Sequence, residues 1–115
     1  MLALSANDKV FLCIGHLDFR RQVKGLIKAT QEILKQNPYS RAYFVFTNKK
    51  KTSVKILHYD GTGYWLHWKI LSEGKFFWPK LDSASCTMSP MELQVLLSQG
   101  NPVQAAFREE WVKVA

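Results

Sequence analysis

The stretch that decides the fold is A-Y-F-V-F-T-N-K-K-K-T-S-V-K-I-L-H-Y-D-G-T-G-Y-W-L-H-W-K-I-L, residues 42–71. Ala42 to Thr47 is apolar on both faces, which suits a central strand. Asn48 to Lys51 reads as a basic turn and Ser53 to Tyr59 as a second strand. Asp60-Gly61-Thr62-Gly63 is a glycine-rich hairpin turn, and Tyr64 to Leu71 a third strand. Strands joined by turns this tight pair antiparallel. The glycine turn permits two registers with opposite consequences. A three-residue loop, Gly61 to Gly63, puts Val54, Ile56, Leu66, Trp68 and Ile70 on one face and Lys55, Tyr59, Trp65, His67 and Lys69 on the other. A two-residue loop mixes the sets and buries Lys55 beside Trp68. The first register segregates polarity and is the one predicted. It places Tyr59 and Trp65 among cations, where bases could stack while lysines meet phosphates. The competing use of the same face is to lie under the long helix or a partner subunit.

Outward from this core, Lys9 to Ile14 reads as a short buried strand, and Asp18 as a helix N-cap. Phe19, Val23, Leu26, Ile27, Thr30, Ile33 and Leu34 follow helical spacing, with Arg20, Arg21, Lys24, Lys28, Gln31 and Lys35 on the opposite side. Gly25 inside this helix costs about 1 kcal/mol against Ala, so a close approach is expected there. Asn37-Pro38 stops the helix. Toward the C-terminus, Lys75 to Trp78 reads as a short strand stopped by Pro79, and Leu81 to Thr87 as a polar loop. Ser89-Pro90-Met91-Glu92 carries a full helix-start signature, with Leu93, Leu96 and Leu97 as its core face and Gly100 as its end. Val103, Phe107 and Trp111, four apart, suggest a short closing helix. The expected fold is α+β: an antiparallel sheet of four to five strands, a long amphipathic helix packed on it, and one or two short C-terminal helices. Residues 1–100 form one domain and 101–115 a tail.

The 115 residues carry a net charge of +7, unevenly placed. Between Arg20 and Lys55 ten cations face Glu32 alone, a block of +9, while the remainder has six cations against eight acids. A block of one sign attracts polyanions within the ~8 Å reach of physiological screening. No apolar run approaches the ~20 residues that span a bilayer, and no secretory cleavage pattern is present. Cys13 and Cys86 form neither a disulfide framework nor a zinc motif, so a cytoplasmic protein is expected. Of the acids Asp8, Asp18, Glu32, Asp60, Glu73, Asp82, Glu92, Glu109 and Glu110, Asp18 and Glu92 read as helix-start residues, Asp60 and Glu73 as turn residues and Glu32 as a surface partner, and none sits at the end of a core strand with an obvious carboxylate mate. His16, His58 and His67 form no ligand pattern with either cysteine. No catalytic residue, metal or cofactor is predicted.

Several segments together resemble a known family. They are Asp18-Phe19-Arg20-Arg21, Gly25-Leu26, Asn37-Pro38-Tyr39-Ser40 and Phe44 to Lys51, then Val54 to Gly63 and Leu71 to Pro79, in matching order and spacing. The chain is similar to the TnpB-type, second-open-reading-frame proteins of three-gene bacterial insertion sequences of the insertion-sequence-sixty-six class, over roughly residues 1 to 100. It departs from them at Gln22, Tyr59 and Ile70, in a leucine-rich helix one residue longer before Gly100, and in the tail from Asn101. The resemblance implies an accessory protein of DNA transposition, encoded beside a larger transposase.

The expected function is therefore a non-enzymatic accessory role, with DNA bound through backbone phosphates by Arg20, Arg21, Lys24, Lys28, Lys49, Lys50, Lys51 and Lys55. Tyr59 and Trp65 are possible aromatic contacts. With no helix-turn-helix or zinc-finger signature, sequence-specific reading is not expected. The alternative is a protein-interaction module that docks on the transposase through Tyr59, Trp65, Phe107 and Trp111 without touching nucleic acid.

Overall fold

A computed structural model describes residues 2–99. The elements in chain order are β1 (Val10–Cys13), α1 (Val23–Glu32), β2 (Tyr43–Thr47), β3 (Ser53–Tyr59), β4 (Tyr64–Ile70), β5 (Ser85–Met88) and α2 (Pro90–Leu97). The five strands form one sheet in the order β4-β3-β2-β1-β5. β2, β3 and β4 make the antiparallel meander that their tight turns predict. β1 instead pairs parallel to β2, Val10 opposite Tyr43, so the sheet is mixed rather than wholly antiparallel. The reason lies in connectivity: α1 lies between β1 and β2 and carries the chain back, and a strand–helix–strand unit pairs its strands in parallel.

Two further segments differ from the expected elements. Lys75 to Trp78 is not a strand. β4 and β5 lie at opposite edges of the sheet, so the chain between them must cross a face, and Phe76 and Trp78 are buried along that crossing. The indole of Trp78 donates to the Cys13 carbonyl at 2.9 Å, which pins the crossing to β1. Conversely, the supposed polar loop contains β5, with Ser85 opposite Cys13 and Met88 opposite Val10. Its polar composition disguises it because, as an edge strand, it buries only Met88 fully.

The helix from Phe19 is shorter than its apolar spacing suggests, ten residues from Val23 to Glu32. Asp18 does not cap it; Gln22 occupies that position without a side-chain hydrogen bond. The chain leaves α1 through Lys35, whose φ of 56° is left-handed, before Asn37-Pro38. α2 starts as its signature predicts: Ser89 Oγ accepts from the Glu92 amide, and the Glu92 carboxylate accepts from the Ser89 amide.

The sheet is covered on both faces. Leu26, Ala29 and Leu34 of the α1 region pack on Phe44, Phe46 and Leu57. Phe76 and Trp78 of the crossing, with Leu93 and Leu96 of α2, pack on Val10, Leu12, Val45 and Ile56. This explains why β2 reads apolar at every position: all five of its residues are buried. The expected closing helix around Val103, Phe107 and Trp111 lies outside the described residues.

Candidate nucleic-acid interface

Asp60 N–H donates to the Gly63 carbonyl, so only Gly61 and Thr62 lie outside the β3–β4 ladder. Tyr59 pairs with Tyr64 and Lys55 with Trp68. This is the two-residue register, and it overturns the expected segregation of polarity. Tyr59 and Trp65 fall on opposite faces. Tyr59 packs with Tyr39 and Tyr64, ring centroids 5.0 and 5.1 Å away, and its hydroxyl donates to the Gly61 carbonyl. Trp65, 57 % exposed, stands on the other face and donates its indole N–H to Asp60 Oδ2 at 2.8 Å. The aromatic pair therefore does not make one stacking platform.

Lys55 moves furthest from its expected role. It is fully buried, on the face covered by α1. Its Nζ donates to the carbonyls of Phe19 at 2.9 Å and Arg21 at 2.8 Å. It also lies over the rings of Trp68 and Phe19, 4.2 and 5.0 Å from their centroids. Desolvation pushes its pKa below the ordinary lysine value. An ammonium so enclosed cannot reach a phosphate, so Lys55 leaves the contact set. Segregation of polarity fails as a guide because two carbonyls and two ring faces compensate the buried charge.

What Lys55 does is hold the connection that carries Arg20 and Arg21. In a helix begun at Phe19, the Phe19 carbonyl would accept from the Val23 amide and the Arg21 carbonyl from the Gly25 amide. In the structure both carbonyls accept from Lys55 Nζ instead, and α1 begins at Val23 with the Val23 and Gly25 amides in its first turn, where an α-helix offers no intrahelical acceptor. Asp18 accepts from the Arg20 amide at 2.9 Å and pairs with its guanidinium. The hydrogen bond from Arg20 holds the Asp18 carboxyl down at about 2. Gly25 makes room for the Arg21 side chain, since a Cβ there would sit 2.9 Å from Arg21 Cβ.

The second basic element is the β2–β3 turn. Asn48 Oδ1 accepts from the amides of Thr52 and Ser53, and its Nδ2 donates to Thr52 Oγ1. Lys51 completes the turn with a left-handed φ of 60°. Lys49 and Lys50 are exposed and Lys51 half-buried.

Parallel pairing brings these two elements together. β1 and β2 point the same way, so the connection after β1 and the turn after β2 leave the same end of the sheet. The Leu17 amide donates to the Thr47 carbonyl at 2.9 Å, tying them directly. The segment after β4 joins them, its Phe76 amide bonded to the Lys51 carbonyl at 2.8 Å. Arg20, Arg21, Lys24, Lys49, Lys50 and Lys51 thus share one end of the sheet, with Lys75 beside them and Asp18 and Glu73 as the acids there. Lys28 lies further along α1, 3.9 Å from Glu32, and does not belong to this group. Sequence spacing could not show the grouping, because it depends on β1 and β2 running parallel. Lys75 is the cation that sequence reasoning missed, having been read into a strand.

Among the described residues no group of three or more His, Cys, Asp or Glu side chains is placed to hold a metal ion, and no helix is long and apolar enough to cross a membrane. The family model for IS66 Orf2-like proteins matches residues 8–106. The chain is 36% identical over 98 residues to y4hO of Sinorhizobium fredii, covering 85% of each protein, and 31% identical over 98 residues to y4jC of the same strain, covering 85% of this chain and 84% of that one. Both relatives are described as uncharacterized proteins. No solved structure matches the chain at a significant level. The chain belongs to the IS66 Orf2-like family, which sets it among the accessory proteins of insertion-sequence transposition.

Proposed function

We propose that the protein is a non-enzymatic accessory factor of transposition that binds nucleic acid through backbone phosphates. The contact is made at the end of the sheet where β1 and β2 terminate. The observation that carries this reading is the convergence of Arg20, Arg21, Lys24, Lys49, Lys50 and Lys51 on that end. Seven cations there, counting Lys75, stand against Asp18 and Glu73. The uncapped start of α1 adds amides and the positive end of a helix dipole to the same region. Lys55 contributes from below by fixing the backbone that displays Arg20 and Arg21. Lys28 and Lys55 are not among the contacts.

Such a surface sets affinity and position without reading bases. The protein acts in the cytoplasm, on the DNA that the element's transposase also engages. Binding to duplex DNA measured across a salt series tests the reading. About five neutralised phosphates give a slope of log K against log salt of about −4.5. Element-end and random duplexes of equal length bind alike. A flat salt response, or no binding at low salt, overturns it.

A further inference from the structure

The two edges of the sheet are built differently. β5 is four residues long and reads Ser-Cys-Thr-Met. β4 is seven residues long, contains no proline, and carries Trp65, Trp68 and Ile70 at 57%, 50% and 64% exposure. An edge of that length and apolarity is a template for pairing with another strand. Its free backbone groups follow from the register. The Asp60–Gly63 hydrogen bond makes Trp65, His67 and Lys69 the residues bonded to β3, so the amides and carbonyls of Leu66 and Trp68 point outward. Among the described residues nothing pairs with them.

The strand is also complementary to itself. On the face away from α1, Trp65 holds the exposed Asp60 carboxylate on its indole at one end, and Lys69, whose Nζ donates to the Leu97 carbonyl at 2.8 Å, stands exposed at the other. We infer that β4 pairs antiparallel with β4 of a second copy about a two-fold axis at His67. This makes a dimer with a continuous ten-stranded sheet. Leu66 of one protomer then exchanges backbone hydrogen bonds with the partner's Trp68. The exposed Lys69 side chain turns from the Leu97 carbonyl to the partner's Trp65 and Asp60, so cation meets ring face and carboxylate twice over. His67 faces the partner's His67 in a non-hydrogen-bonded pair. The inference does not depend on the nucleic-acid reading.

Sedimentation of the full chain in high salt, which strips bound nucleic acid, is expected to give a dimer of the 13.3 kDa chain. Lys69→Glu sets like charges against Asp60, and Trp65→Lys sets lysine against lysine. Each variant alone is expected to be monomeric. Mixed, they restore the dimer, because Lys at 65 then faces Glu at 69 on one side and the native pair remains on the other. A monomeric wild type overturns the inference, as does a dimer indifferent to both changes or a mixture that stays monomeric. Should either variant fail to fold, His67→Cys in a Cys86→Ser background decides. Cα atoms in such a pair lie about 4.5 Å apart, within disulfide reach. Oxidation is expected to cross-link two chains; absence of cross-linking contradicts the pairing.

Discussion

Two hairpin turns stand at opposite ends of β3, and each is organised by one side chain. Asn48 holds the turn before β3 by accepting from the amides of Thr52 and Ser53. Asp60 holds the turn after it by accepting from the amides of Thr62 and Gly63. The geometry is alike and the electrostatics are opposite. Asp60 brings a negative charge that the turn itself satisfies, with the Trp65 indole on its second oxygen. The Arg41 guanidinium lies against Gly61, where φ is +103° and a Cβ would meet it at 2.5 Å. Asn48 brings no charge, and its turn displays Lys49, Lys50 and Lys51. The Asp60 turn satisfies its own charge; the Asn48 turn presents a surplus.

The largest expected effect concerns Lys55, which joins that comparison from inside. Lys55→Met removes the donor that the Phe19 and Arg21 carbonyls share through part-buried hydrogen bonds. It should lower stability by about 3 kcal/mol in denaturant unfolding. Duplex binding should weaken, because the backbone that displays Arg20 and Arg21 loses its anchor, while the number of phosphates contacted, and so the salt slope, stays unchanged. A stable variant with a slope shallower by about one would return Lys55 to the phosphate contacts.

Next in size, Lys49→Glu with Lys50→Glu should weaken duplex binding at least about tenfold at low salt. The matched change Arg41→Glu, beside the Asp60 turn, should leave it nearly untouched. Equal losses from both would erase the distinction between the ends. Asn48→Ala should cost about 1–2 kcal/mol of stability and also weaken binding, since it frees the turn that displays the lysines. Asp60→Ala should loosen its own turn without affecting binding.

The smallest effect is a titration. The Arg20 hydrogen bond holds Asp18 at about 2, and the Thr62 amide with the Trp65 indole holds Asp60 well below the usual carboxylate range. Both groups bind protons less readily folded than unfolded. Their contribution to stability is therefore present above the ordinary value of 3.8 and is lost as pH falls through the folded values. Arg20→Ala should return the Asp18 carboxyl carbon titration toward 3.8, with Asp60 unmoved.

The sequence made the meander of β2, β3 and β4 legible because apolar runs and turn residues are local signals. The capping box of α2 was legible for the same reason. What it concealed was long-range. Nothing local in Val10–Cys13 states that it pairs parallel to β2, and the grouping of Arg20 with Lys49 follows from that pairing alone. The hairpin register departs from the expected one because a lysine in a strand argues for an exposed face. Lys55 defeats the argument with carbonyls supplied 34 and 36 residues earlier in the chain. Of the eight cations singled out as phosphate contacts, Lys28 and Lys55 lie apart from the rest, one beside Glu32 and one in the core.

One end of the sheet, and not the other, should meet the polyanion. Backbone amide chemical shifts, followed while a short duplex is titrated into the labelled protein, distinguish the two ends. Perturbation is expected to concentrate in residues 18–25 and 48–52, with 39–41 and 60–64 silent. Perturbation centred on the Asp60 turn and Arg41, or none at any duplex concentration, would contradict it.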